Sequence, residues 1–185
     1  MSGDLGRVAH VWSWTTAKLG SWAAIPLRLI VGYGFMEHGY AKMVKGPEHF
    51  VGILHAIGVP APELMGWATI LVEFVGGFAV LLGAFVPWVS MPMAAVLLVA
   101  TFTVHLPNGF SSIKLQSVTA AGTQFGQPGY ETDLLYLACL AALVLGGSGP
   151  FAIDTLLARR RIRRGHEVGA PVSRAGPDLV SADPP

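Results

Sequence analysis

Apolar positions fall into four long runs separated by short polar gaps. They span Trp22–Ala41, Leu64–Phe85, Trp88–Leu106 and Thr132–Gly149. Each run approaches the roughly 20 residues that a helix needs to cross about 30 Å of hydrocarbon. Only Val86 and Pro87 separate the second run from the third. A link that short forces an antiparallel hairpin of helices. Pro26, Pro92 and Pro107 stand within a turn or so of run ends, where a missing amide costs least. Gly32, Gly34, Gly76, Gly77 and Gly83 lie inside runs. Small residues there let helix backbones approach, which is how membrane helices pack. The expected fold is all-α, a membrane-spanning four-helix bundle.

The flanks divide the chain into an N-terminal segment (1–21), the four-helix domain (22–158) and a tail (159–185). Val8–Ser21 holds Trp12 and Trp14 beside Lys18, a composition suited either to a short interfacial helix or to a frayed terminus. No apolar core followed by a small-residue cleavage site is evident there, so no cleaved signal peptide is expected. Gly165–Pro185 is rich in Pro, Gly, Ala and Asp and is expected to be disordered. The loop from Pro107 to Tyr130 has no clear periodicity, and loops of that length are often functional or mobile.

Composition agrees with a lipid environment. The 185 residues are 52% hydrophobic and 12% charged, against about 25% charge in an average soluble domain. The net charge of +1 gives no field for nucleic acid. One cysteine, Cys139, excludes an internal disulfide, a CxxC pair and a cysteine zinc site. Charge also sets an orientation. Arg159, Arg160, Arg161, Arg163 and Arg164 crowd after the fourth run, and positive residues at span ends stay cytoplasmic. Both termini are then cytoplasmic in a multi-pass protein of the plasma membrane, the inner membrane in a bacterium. Lys42, Lys45 and Lys114 fall on the outer loops.

Charged groups inside the runs are the candidate chemistry, because a mid-bilayer charge costs about 2.5–3.5 kcal/mol and must be paired or neutralised. They are Arg28, Glu37, His38 and Glu73, with His105 at the edge of the third run. Depth along the helices places four of the five in the outer half and Arg28 in the inner half. Arg28 and Glu37 are about 900° of turn apart and point to opposite faces. Glu37 shares a face with Tyr33 and Tyr40, and His38 with Lys42. Arg28 must therefore look to another helix, with Glu73 and Asp154 as candidate partners in a structural ion pair. Alternatively Glu73 carries protons or ligand, with His38 and His105 beside it and Glu37, Tyr33, Tyr40 and Lys42 lining a binding site. No HxxxH or ExxH pair gives metal-ligand spacing, so no metal is expected.

The ordered series of these residues resembles the DoxX family of small four-helix membrane proteins. The first run reads Pro26-Leu27-Arg28-Leu29-Ile30, then Gly32, then His38-Gly39-Tyr40-Ala41-Lys42, like the family's arginine, glycine and "hGxxK" pattern. Gly58-Val59-Pro60 precedes the second run, which carries Glu73, Gly76, Gly77 and Gly83; His105 and Gly109-Phe110 close the third. Gly147-Ser148-Gly149 through Asp154 resembles the family's closing turn, with Ala152 where that pattern has serine. The resemblance covers residues 25 to 155. It implies a redox-associated, quinone-linked membrane subunit, since the family name is tied to the membrane subunit of a thiosulfate:quinone oxidoreductase. Quinone is the implied ligand, with a soluble redox partner or a second copy of the chain as the implied protein partner. The alternative is a non-catalytic membrane anchor or assembly module, or a small-solute permeation protein.

Overall fold

The computed structural model describes residues 20–168, which are mostly helical. Helix α1 runs Ala24–Val44 and α2 runs Pro47–Ala56. Helix α3 covers Pro62–Leu82 and α4 covers Val86–Asn108. A two-stranded hairpin follows, β1 Leu115–Thr119 and β2 Gly122–Phe125, then α5 Glu131–Gly146 and α6 Ile153–Val168. Three of these helices begin with proline in the first two positions, Pro47, Pro62 and Pro87. Proline costs nothing there, because its missing amide would have no partner within the helix. Helix α3 stops at Gly83, whose φ of 66° reverses the chain, and α4 begins three residues later, as the short link requires.

Helices α3 and α4 are long and apolar enough to cross a membrane, at 21 and 23 residues with mean hydropathy 1.8 each. Both contain a π-helical turn, Val72–Gly76 in α3 and Thr101–His105 in α4. Helix α5 is shorter than the run that predicts it: Gly147 and Gly149, at φ 82° and 74°, end it early, leaving 16 residues. Helix α6 runs through the boundary expected at residue 158, so Arg159–Arg161 lie on a helix that begins at Ile153. Residues 1–19, where the interfacial segment is expected, and 169–185, the greater part of the expected disordered tail, lie outside the described residues.

The packing order is α1–α3–α4–α5, with α5 returning to α1 and α2 lying on the first half of α3. Val31, Phe35, Val80, Val86, Met93, Leu97, Leu140 and Leu143 meet at the centre. The outer surface is apolar: Leu145 is 87% exposed and Trp88 74%, far beyond the scattered apolar side chains of a water-facing surface. Helices α1 and α3 touch through glycine. A Cβ added at Gly32 would lie 2.8 Å from the Gly77 carbonyl oxygen, and one at Gly77 would lie 2.7 Å from that of Gly32.

The end of the bundle where α3 turns into α4 is closed by Asp154. Its Oδ1 accepts from the Phe85 amide at 2.8 Å, and its Oδ2 accepts from the Val86 amide at 3.0 Å and from the Ser148 hydroxyl at 3.3 Å. Its own amide donates to the Gly83 carbonyl at 3.0 Å. One residue therefore caps the C-terminus of α3 and the N-terminus of α4, and an acid suits the positive end of a helix. Asp154→Ala is expected to cost about 1–2 kcal/mol, the upper range for a lost N-cap, seen as a lower midpoint of unfolding in mixed micelles. Asp154→Asn should recover part of that loss, because the amide oxygen still accepts one of the two backbone bonds.

Candidate functional site

Among the described residues the structure assembles two ion pairs, and each has a member on a π-helical turn. The first is Lys42 with Glu73. Lys42 Nζ donates to both carboxylate oxygens of Glu73, at 2.7 and 2.6 Å. Glu73 lies in the turn Val72–Gly76. Gly39 brings the two helices together: a Cβ there would lie 3.0 Å from the Phe74 amide nitrogen and 3.2 Å from Glu73 Cβ. The Lys42 ammonium also stands 5.0 Å from the centre of the Phe50 ring, within range for a cation–π contact. Because Phe50 belongs to α2, the lysine ties three helices together.

This pairing corrects the expected Arg28–Glu73–Asp154 ion pair. Arg28 lies beside Gly83, where a Cβ would run into its Nη1. Glu73 comes ten residues before Gly83, roughly 15 Å along α3, and the Lys42 side chain reaches it first. Arg28 Nη2 donates to the Pro150 carbonyl at 3.3 Å, while Asp154 is occupied by backbone amides. Helix C-termini are the negative ends of their dipoles, so the guanidinium at the end of α3 has a favourable field without a carboxylate.

The second pair is His105 with Asp133. His105 Nδ1 lies 2.5 Å from Asp133 Oδ2, and the Thr101 hydroxyl lies 2.9 Å from the same oxygen and 2.8 Å from the Leu97 carbonyl. Thr101 and His105 are the first and last residues of the π-helical turn in α4, and the wider turn brings both toward α5. Asp133 sits in the first turn of α5, where the helix dipole favours an acid. A carboxylate on Nδ1 holds the proton there, leaving Nε2 as the nitrogen open to a ligand. The threonine hydroxyl has one proton and two acceptors, so it can give that proton to the carboxylate or to its own helix.

The base of the long loop joins the two elements that supply this pair. The Tyr130 amide donates to the Gly109 carbonyl at 3.2 Å, the Glu131 amide to the Phe110 carbonyl at 2.9 Å, and the Gly129 amide to the Ser111 carbonyl at 3.0 Å. Asn108 Nδ2 adds a bond to the Pro128 carbonyl at 3.2 Å, and the Phe110 and Tyr130 rings meet edge to face at 5.6 Å. His105 and Asp133 lie just outside the two ends of this clasp. The loop is therefore closed at its base and forms a hairpin above it, rather than an irregular flap.

The expected single cluster is not what the structure forms. Glu37, His38, Tyr33 and Tyr40 are all exposed on α1, and none makes a hydrogen bond or ion pair within the described residues. Glu73 is engaged by Lys42, and His105 by Asp133. No three His, Cys, Asp or Glu side chains come together among the described residues. Asp133 was not legible from the sequence. It stands 28 residues from His105, and an acid in the first turn of a helix reads as an ordinary response to the dipole. Its one signal was its place inside an apolar run.

Residues 23–106 match the family model for DoxX. The chain is 26% identical over 159 residues to the uncharacterized membrane protein Rv3486 of Mycobacterium tuberculosis, covering 84% of this chain and 93% of that one. It is 28% identical over 130 residues to an uncharacterized protein of Haemophilus influenzae, covering 69% of this chain and 85% of that one. No solved structure matches it. The apolar surface, the two membrane-length helices, the family match on α1 to α4 and the likeness to a membrane protein agree: this is a membrane protein similar over residues 23–106 to the DoxX family.

Proposed function

We propose that this protein is a four-span plasma-membrane subunit, both termini cytoplasmic, that presents a quinone headgroup to the His105–Asp133–Thr101 group. The observation that carries the reading is the placement of a histidine–carboxylate pair on a π-helical turn. Such turns recur at functional sites because they re-aim side chains out of the regular helix. Reduction of a quinone consumes two electrons and two protons. The electrons would come from a partner redox subunit. His105 would take a proton from water on Nε2, forming an imidazolium held by Asp133 at Nδ1, and pass it to one quinone oxygen; a second cycle of protonation from water would supply the proton for the other oxygen. Phe102, Val104 and Leu106, exposed at 66%, 44% and 47%, supply apolar surface on the same stretch of α4. The four-span topology rests on the arginines of α6 at the Asp154 end, which favour the cytoplasmic side. Glu73 and His38, expected beside His105, have no part in this reading.

The test is binding of decylubiquinone to the protein in lipid nanodiscs, with analysis of quinone in the purified lipid extract. Saturable binding is expected, weakened at least about ten-fold by His105→Ala, since losing one hydrogen bond to a charged pair is worth about 1.5–3 kcal/mol. Lys42→Met with Glu73→Leu should leave binding unchanged. If the extract holds no quinone and titration shows no saturation, the quinone reading fails. A second reading, a non-catalytic anchor for a partner complex, is favoured by one observation: Lys42 neutralises the deepest carboxylate, Glu73, leaving it a structural role. A stoichiometric partner protein purified without quinone is the result that would select it.

A further inference from the structure

One face of α1 has no use within the bundle. Pro26, Ile30, Tyr33, Glu37, Tyr40 and Val44 are all exposed, and their spacings are four, three, four, three and four. That is the heptad spacing of a helix seam packed against a partner helix. Ile30, Tyr33, Tyr40 and Val44 are exposed at 57%, 62%, 55% and 66%. Glu37 lies seven residues inside the end of α1, roughly 10 Å deep if the helix spans the hydrocarbon. A lipid-facing carboxylate at such a depth carries a cost of up to about 2.5–3.5 kcal/mol. Neither that cost nor the two tyrosine hydroxyls beside it finds an answer within the described residues.

We propose that a second copy of this chain packs on this seam, with α1 against α1 in a parallel two-fold pair. The chemistry is self-complementary. Glu37 accepts only, while Tyr33 and Tyr40 donate from one turn below and one turn above it. A two-fold axis along the membrane normal places like depths together. Each copy's carboxylate then receives phenol hydroxyls from the other copy, and both sets of polar groups are satisfied by one contact. Any self-complementary seam of this kind is isologous and closes as a dimer. A lipid-facing seam would satisfy none of these groups. An unrelated partner would need its own donors placed at heptad spacing, whereas a second copy already carries them. The inference rests on the reading that α1 spans the membrane, but not on quinone binding.

The test is disulfide cross-linking in native membranes, on a Cys139→Ala background. Ile30→Cys and Val44→Cys should form dimers of twice the chain mass on oxidation. Leu145→Cys, on α5 and 87% exposed, should not. Tyr33→Phe with Tyr40→Phe should suppress the Ile30→Cys dimer several-fold, because the two Glu37 carboxylates that meet at the axis would then lose their hydroxyl donors. Labelling of Val44→Cys by a membrane-impermeant maleimide in intact cells separately reports whether that end of α1 lies outside. External labelling without cross-linking at either seam position overturns the dimer while the span stands. Absence of external labelling overturns the span, and the dimer with it. Cross-linking of the seam to a different polypeptide also overturns the proposal.

Discussion

Lys42→Ala is expected to be severely destabilising, because it leaves Glu73 buried without its partner. Removing one member of a buried ion pair costs about 3–5 kcal/mol. Glu73 is 8% exposed and Lys42 22%, so some relief by water at the lysine places the expectation at the lower end of that range. The double variant Lys42→Met, Glu73→Leu should recover most of the loss, since apolar replacement of a whole buried pair is often neutral or better. Arg28→Met alone should not imitate Lys42→Ala, because among the described residues no carboxylate is within ion-pair reach of Arg28. The measurement is the unfolding midpoint in mixed detergent micelles, taken as a double-mutant cycle. An unchanged midpoint for Lys42→Ala would show that the pair contributes nothing.

Gly77→Val should be the most damaging glycine substitution on the α1–α3 contact. The first carbon of any side chain would fall 2.7 Å from the Gly32 carbonyl oxygen and 2.8 Å from the Met36 amide nitrogen. Both are backbone atoms on a long helix, so relief requires the helices to separate. Overpacking of this kind costs about 1–3 kcal/mol or more, and here it would also pull apart Lys42 and Glu73, which lie along the same contact. The internal control is Gly52→Ala on α2, where nothing lies within 4 Å of the added carbon. That change should be neutral or slightly stabilising, because alanine favours helix over glycine by up to about 1 kcal/mol. If Gly77→Val and Gly52→Ala unfold alike, the close approach of α1 and α3 does not exist in the membrane.

The helices were legible in the sequence for a simple reason. Apolar runs of this length have one stable form in lipid, and proline and glycine mark their limits. The hairpin of α3 and α4 followed from a two-residue link, and the likeness to the DoxX family from an ordered series of residues that survives without any three-dimensional detail. Helix α2, Pro47–Ala56, escaped because it is ten residues long, too short to register as a span. The hairpin Leu115–Phe125 escaped because a register irregularity after Leu115 breaks the alternation that would have announced it.

The polar groups divide differently. Most of their identities were plain, since a charge inside an apolar run is conspicuous; Asp133 escaped because it stands at the very start of the fourth run, where an acid reads as a response to the helix dipole. Their partners were not, because helical spacing fixes the direction of a side chain on its own helix but says nothing about the neighbour it meets. Two local departures settled the partners. π-Helical turns at Val72–Gly76 and Thr101–His105 rotate Glu73 and His105 off the faces that 3.6-residue periodicity assigns. Glycine contacts at Gly32, Gly39 and Gly77 set how far α1 slides along α3. The sequence by itself determined that buried charges would exist in this protein. Only the tertiary structure decided that Glu73 belongs to Lys42 and His105 to Asp133, because helix rotation and sliding are settled by packing across the bundle and leave no periodic trace along the chain.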